Sequence, residues 1–157
     1  MVALNELPAD EAERRLSACC ASPEWVRTVL SRRPYASLDE LVGYSDKVIA
    51  GLSWPEIERA LAAHPRIGER ATGGMEAKWS REEQSAAATD DATELVEANA
   101  AYEKRFDRVF LICATGLSAS QILAALRARL ANDDATEAAV TREELTKIVR
   151  LRLARIA

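Results

Sequence analysis

Helix start signals recur along the whole chain and constrain its fold more than any other feature of the sequence. In the capping-box pattern, a Ser or Thr caps the first turn of a helix, and a Glu or Gln three residues later caps it in return. Apolar residues between these starts recur mainly at spacings of three and four, which is the period of a helix with one buried face. The pattern occurs at five places: Ser37 with Glu40, Ser53 with Glu56, Ser80 with Glu83, Ser118 with Gln121, and Thr141 with Glu144.

These signals predict an all-α fold, a single-domain bundle of about eight helices spanning residues 1–157. Asp10 and the Ser22-Pro23 pair indicate two further helix starts, and Thr141 is expected inside the last helix. A chain of 157 residues with 48% hydrophobic side chains can bury one core, but it is too short for two ordinary domains. The predicted helices cover residues 9–19, 22–31, 38–50, 54–63, 81–87, 91–106, 119–131 and 135–156.

Charge and cysteine content exclude several kinds of partner. The net charge of −4 and the mixing of basic with acidic side chains argue against a nucleic acid ligand. No apolar stretch reaches the roughly 20 residues of a membrane span, and the first residues lack a signal-peptide pattern, so we expect a cytoplasmic protein with no membrane partner. Cys19, Cys20 and Cys113 suit neither a disulfide framework nor spaced metal ligands, and His64 is the single histidine. We expect reduced thiols and no metal.

Two segments interrupt the helical pattern. Residues 64–79 contain three of the six glycines in one loop between predicted helices, and a long loop in a compact domain is often functional. Residues 108–116 form an apolar run that is too short for a helix and has no second strand with which to pair. We therefore expect buried backbone there, with amides that need partners other than a sheet.

The first of these segments begins and ends with residues that could carry chemistry. His64 is followed by Pro65, which biases it away from helical geometry, and imidazole has an unperturbed pKa of about 6.5 that suits acid–base catalysis. A histidine that caps the carbonyls of its own helix is the alternative. Ser80 and Glu83 are explained by a capping box alone, but they also bring a hydroxyl, a carboxylate and first-turn amides to the end of the loop, with Gln84 next to them.

Arg152 is anomalous in the periodicity of the last predicted helix. At about 100° per residue it falls in the middle of an apolar stripe, where a guanidinium needs an anion. An internal salt bridge with a core acid and snorkelling near the C-terminus are the structural explanations. The functional explanation is a planar fork that holds a substrate carboxylate. The stripe consists of Leu145, Ile148, Val149 and Ile156.

Short motifs distributed over essentially the whole chain carry a resemblance to a known family. They are Ser22-Pro23-Glu24-Trp25, Arg33-Pro34-Tyr35-Ala36-Ser37, His64-Pro65-Arg66-Ile67-Gly68, Ser80-x-x-Glu83-Gln84, Asn99 with Tyr102 and Arg105-Phe106, Phe110-Leu111-Ile112-Cys113, and Leu151-Arg152-Leu153. In this order and spacing the chain resembles the 2-oxo-4-hydroxy-4-carboxy-5-ureidoimidazoline (OHCU) decarboxylase family of uric acid degradation. Each motif is weak by itself, and the combination is specific.

The resemblance implies an all-α, cofactor-free enzyme, often a homodimer, which converts this unstable product of urate oxidation into (S)-allantoin and carbon dioxide. Leu117 departs from the family pattern, in which Arg or Lys is common at that position on the rim of the pocket. By resemblance, the catalytic residues are His64 and Glu83, and the substrate-binding residues are Pro65, Ser80, Gln84, Leu111, Ile112, Cys113 and Arg152.

Two other classes of function remain open from the residues themselves. One is a non-catalytic helical module that binds a partner, for which an acidic, alanine-rich bundle is ordinary. The other is a different small-molecule lyase or hydrolase on the same scaffold. The decarboxylase hypothesis requires His64, Glu83 and Arg152 to line one pocket sized for a small polar ring.

Overall fold

A computed structural model describes residues 2–64 and 92–157 of the chain. Within these ranges the chain forms seven α-helices and one short 3₁₀ helix, Ala3–Glu6, and it forms no strand. The prediction of an all-α fold is confirmed, and the predicted helix over residues 81–87 lies outside the described residues. The helices are α1 (Ala9–Cys19), α2 (Pro23–Ser31), α3 (Leu38–Gly51), α4 (Trp54–Ala62), α5 (Ala92–Phe106), α6 (Ala119–Arg129) and α7 (Asp134–Ile156).

Serine caps determine where several of these helices begin. Ser118 forms a complete capping box: its hydroxyl accepts from the Gln121 amide at 3.2 Å, and the Gln121 side chain accepts from the Ser118 amide at 2.8 Å. Ser22 caps α2 by accepting a hydrogen bond from the amide of Trp25 at 3.1 Å. Ser37 caps α3 with its own hydroxyl, so the observed starts agree with the predicted ones.

The capping box predicted at Ser53 is wrong. Ser53 occupies the N-cap position of α4, but its side chain makes no capping hydrogen bond. Glu56, the other half of the expected box, instead accepts a hydrogen bond from the Ser22 hydroxyl at 2.9 Å and pairs with Arg59 at 2.9 Å. The Glu56 carboxylate is therefore bound by one tertiary partner, Ser22, and by one neighbour on its own helix, Arg59. Thr141 lies inside α7, as predicted.

The described residues form two compact units. The first unit comprises those in Met1–Ala63 and Thr146–Ala157, and the second comprises those in His64–Leu145. Helix α7 contributes its first turns to the second unit and its last turns to the first. The single-domain prediction for residues 1–157 stays a prediction.

The first unit is built on the packing of α1 against α2 and of α2 against α3. Trp25 of α2 is fully buried, and its indole N–H donates to the Ser45 hydroxyl of α3 at 3.0 Å, which satisfies both polar groups in the core. The last turns of α7 are joined to α3 by a two-point ion pair between Arg150 and Asp46, with an Nη2–Oδ2 distance of 2.7 Å. Other buried side chains include Leu4, Leu16, Leu41, Ile49, Ile57, Leu153 and Ile156.

The second unit is built on the packing of α5 against α6 around an aromatic centre. The Tyr102 ring lies 4.8 Å from that of Phe106 and meets the Phe110 ring edge-on at 5.1 Å, both favourable arrangements for aromatic rings. Ile122 and Leu126 of α6 are fully buried against this centre. No helix of the described part of the chain is long and apolar enough to cross a membrane.

Candidate functional site

Arg152 lies where the periodicity of the last helix placed it. Its residue surface is 0% exposed, and it is flanked along α7 by the buried Ile148, Val149 and Ile156. Its Nη1 donates to the carbonyl oxygen of Ala18 at 3.2 Å. That carbonyl belongs to the last turn of α1, where backbone acceptors lack partners within the helix and the helix dipole favours a cation. The structure therefore shows a buried guanidinium with part of its hydrogen-bonding capacity directed at a helix end.

His64 is half-buried in the bend that follows α4, at the junction predicted from the sequence. Its helix is closed by Ala63, whose amide donates to the carbonyls of Ala60 and Leu61. Four other predicted site residues, Pro65, Ser80, Glu83 and Gln84, lie outside the described residues.

Leu111, Ile112 and Cys113 lie together in a non-helical stretch, Phe110–Ala114, which we call the connecting segment because it joins α5 to α6. Four of its five residues are buried, and the segment belongs to neither a helix nor a sheet. The Leu111 carbonyl accepts a hydrogen bond from Arg129 at 2.7 Å, and the Cys113 amide donates to the Glu144 carboxylate at 3.0 Å. The prediction of buried backbone with partners outside a sheet is confirmed.

A buried ion pair supports this segment. Arg129 of α6 and Glu137 of α7 form a two-point contact, with Nη2 to Oε2 at 2.6 Å and Nε to Oε1 at 3.1 Å, and the Glu137 side chain is fully buried. The Tyr102 hydroxyl and the Asn132 amide also donate to Glu137. The Arg129 guanidinium carbon lies 4.4 Å from the centre of the Phe110 ring, within cation–π range. The pair is therefore fixed by both hydrogen bonds and packing.

The surroundings of this pair shift two pKa values. Burial by itself would raise the pKa of Glu137, but hydrogen bonds from Arg129 and Tyr102 and the positive charge of Arg129 outweigh burial and lower it below its ordinary value. Burial raises the pKa of Tyr102, and its hydrogen bond to Glu137 raises it further. Glu137 is therefore a carboxylate, and Tyr102 a neutral donor, at neutral pH.

Sequence reasoning gave no role to Arg129 and Glu137, and it assigned Glu144 only to a capping box with Thr141, whereas Glu144 accepts from the Cys113 amide. The periodicity that singled out Arg152 could have found two of them, because Glu137 and Glu144 precede it by fifteen and eight residues and so lie on the same face of α7. Arg129 shows the same signal on α6, seven residues after the buried Ile122. Polar residues on an apolar helix face were the informative pattern.

The predicted site residues fall in both units. His64 and the connecting segment belong to the second unit, and Arg152 belongs to the first. Across residues 2–64 and 92–157, no group of three or more His, Cys, Asp or Glu side chains is arranged to hold a metal ion.

A family model described as OHCU decarboxylase matches residues 5–154. The chain belongs to the OHCU decarboxylase family. A 2-oxo-4-hydroxy-4-carboxy-5-ureidoimidazoline decarboxylase from Amia calva is 32% identical over 137 residues, covering 83% of this chain and 78% of that protein. The uric acid degradation bifunctional protein TTL of Arabidopsis thaliana is 29% identical over 151 residues, covering 92% of this chain and 47% of that protein. The chain thus spans less than half the length of that bifunctional relative.

A solved structure connects the OHCU decarboxylase family to this fold. The crystal structure of an OHCU decarboxylase in the presence of (S)-allantoin matches with a TM-score of 0.76 at 27% identity, covering 88% of this chain and 94% of that one. The helices described above therefore form the fold of the OHCU decarboxylase family. The structural match also agrees with the all-α fold predicted from capping signals and periodicity.

Proposed function

We propose that this chain removes the carboxyl group of OHCU as carbon dioxide and yields (S)-allantoin in urate degradation. The family match over residues 5–154 is the observation that carries the proposal. The likeness to an OHCU decarboxylase crystallised in the presence of (S)-allantoin supports it. Because the chain spans 47% of its Arabidopsis relative, the proposal concerns the decarboxylation step alone.

The chemistry asks for positioning and proton delivery. Loss of carbon dioxide leaves an electron pair that the C=N bond and carbonyl of the imidazoline ring can delocalise, so the substrate supplies its own electron sink. A proton then adds to one face of a trigonal ring carbon and creates the (S) centre of allantoin. The protein has to orient the carboxylate, remove water from it and deliver that proton.

We assign the acid–base work to His64 and Glu83, following the family motif. The position of His64 supports its part, because an imidazole at a helix end is half-buried yet is not packed into the hydrophobic core. Pro65, Ser80 and Gln84 supply further substrate contacts in this proposal, again following the family motif.

Arg152 and the connecting segment supply the remaining contacts in this proposal. Arg152 would grip an acidic or carbonyl oxygen with its planar fork, and its full burial supports this role because a guanidinium binds an anion more strongly where water is excluded. Leu111, Ile112 and Cys113 would contact the ring through their backbone. The hydrogen bonds of this backbone support the role. The Leu111 carbonyl and the Cys113 amide have side-chain partners, and the N–H and C=O of Ile112 point away from those partners because each peptide group is trans.

We also propose a homodimer, as the family resemblance implies. Sedimentation equilibrium tests it: the expected mass is twice that of the 17.2 kDa chain, and the mass of a single chain at micromolar concentration would refute it. The cytoplasmic location expected from the sequence stays a prediction.

The test of the proposed activity is stereochemical. After carbon dioxide is lost in free solution, a proton can reach either face of the trigonal carbon, so uncatalysed decay gives both enantiomers. Freshly oxidised urate incubated with the chain is expected to give mainly (S)-allantoin by chiral chromatography. A mixture of enantiomers identical to that without protein would refute the proposal, and a faster decay to another product would favour a different lyase.

A further inference from the structure

The backbone of the connecting segment is held from two different helices. Arg129 of α6 donates to the Leu111 carbonyl at 2.7 Å, and Glu144 of α7 accepts from the Cys113 amide at 3.0 Å. In a planar trans peptide the C=O and the N–H point in opposite directions, and these peptide bonds are trans. The N–H of Ile112 therefore points away from the Leu111 carbonyl to which Arg129 donates. The C=O of Ile112 likewise points away from the Cys113 N–H that Glu144 accepts from.

The two polar groups of Ile112 have no hydrogen-bond partner in residues 2–64 or 92–157. Ile112 is nevertheless buried, and buried backbone groups in native proteins are almost always paired. A donor and an acceptor carried by the same residue of a buried segment suit a small ring that has both N–H and C=O groups. The substrate class proposed above is a ring of this kind.

Burial of Arg129, which holds the Leu111 carbonyl, and of its ion-pair partner Glu137 carries a large desolvation cost. The Arg129 side chain is 9% exposed and that of Glu137 is 0% exposed, and well-packed apolar residues often replace such a pair without loss of stability. An apolar pair could not bind the Leu111 carbonyl. The use of a buried ion pair at this place therefore points to a requirement for orientation of this backbone.

We propose that Arg129 and Glu144 are positioning residues, which hold Leu111 and Cys113 so that the N–H and C=O of Ile112 are presented to the substrate; this inference rests on the proposed decarboxylation. Neither side chain is required to touch the substrate. Glu137 acts through Arg129, whose guanidinium it orients.

The decisive experiment compares two variants of Glu144 with a neighbouring control. Glu144→Gln keeps an oxygen that accepts from the Cys113 amide, and Glu144→Ala removes it. Glu143→Ala is the matched control, because Glu143 is the adjacent carboxylate on α7 and is exposed. Glu144→Asp, which withdraws the carboxylate by one methylene, replaces the alanine variant if that variant does not fold. Hydrogen exchange of the ¹⁵N-labelled Cys113 amide is measured for each protein, together with kcat and KM for OHCU below the melting temperature.

We expect these proteins to differ both in the exchange rate of the Cys113 amide and in kcat. In Glu144→Ala the Cys113 amide exchanges about tenfold or more faster than in the wild type, because its hydrogen bond to the Glu144 carboxylate is lost. In the same variant kcat falls by about tenfold to a hundredfold, since misplacement by an ångström has effects of that size, and KM changes less. In Glu144→Gln the slow exchange of the Cys113 amide and the value of kcat are both mostly restored, and Glu143→Ala matches the wild type in both.

Two results would overturn the inference, and they are distinguishable from failure of the proposed function. If the wild type converts OHCU and Glu144→Ala, folded, has an unchanged kcat, the segment needs no positioning by Glu144. If Cys113 exchange is unchanged in Glu144→Ala, Glu144 does not hold the segment. A wild-type protein that does not accelerate OHCU decay instead removes the proposed function, and the inference about positioning with it.

Discussion

Removal of Arg129 is the perturbation whose cost follows most directly from the structure. Arg129→Met keeps the apolar stem and removes the guanidinium, which leaves the fully buried Glu137 carboxylate without its cation and the Leu111 carbonyl without its donor. Breaking one side of a buried pair typically costs about 3–5 kcal/mol. Since Tyr102 and Asn132 still donate to Glu137, we expect the free energy of unfolding to fall by about 3 kcal/mol, the lower end of this range.

The assay is urea unfolding followed by far-ultraviolet circular dichroism, with a thermal melt alongside. For a chain of this length the loss corresponds to a decrease in Tm of about 6–12 °C. Arg127→Met is the matched control, because Arg127 lies on the same helix, is 62% exposed in its side chain and contacts Glu94 only at 3.4 Å. The free energy of unfolding of this control is expected to stay within about 0.5 kcal/mol of the wild-type value. A decrease in the free energy of unfolding below about 1 kcal/mol in Arg129→Met would refute the reasoning, since a buried carboxylate without its cation destabilises the fold by more than that.

Three further predictions concern pH, substrate grip and acid–base chemistry. Because the pKa of Glu137 is lowered in the folded state, its ionised form stabilises the fold at pH values above the ordinary carboxyl pKa, and this stabilisation is lost as the pH falls through the folded-state pKa. The difference in the free energy of unfolding between wild type and Glu137→Gln, measured with urea, should therefore shrink between neutral pH and about pH 3. Arg152→Lys keeps the charge but loses the planar fork, so kcat/KM should fall by more than about tenfold, and wild-type kinetics would contradict a two-point contact. His64→Ala and Glu83→Gln should each lower kcat by about 10² to 10⁴, measured by allantoin formation in folded protein, and a loss below about tenfold would exclude that residue from proton transfer.

Local signals predicted much of the fold, because helix starts depend on contacts only three residues apart. Ser22 and Ser118 cap their helices through hydrogen bonds that the sequence spacing already implies. Ser53 shows the limit of this reasoning. Its expected partner Glu56 is bound by residues 34 positions earlier and three positions later, and only the distant partner is beyond the reach of a local pattern.

Periodicity predicted one part of the candidate site and could not supply the rest. It placed Arg152 on the buried face of α7, and the structure shows it fully buried there. It could not show that Glu144 reaches a backbone amide 31 residues earlier, or that Arg129 reaches the Leu111 carbonyl across 18 residues. Such contacts depend on how helices pack, which no local spacing encodes.

The enantiomeric composition of allantoin, measured together with the rate of carbon dioxide release, tests the central claim most directly. Freshly formed OHCU is divided among the wild-type chain, His64→Ala and a protein-free blank. We predict rapid release of carbon dioxide and predominantly (S)-allantoin with the wild type, and slow release with both enantiomers in the other two samples. Carbon dioxide release at the blank rate, with both enantiomers formed in the presence of folded wild-type protein, would contradict the assignment of this chain as a decarboxylase.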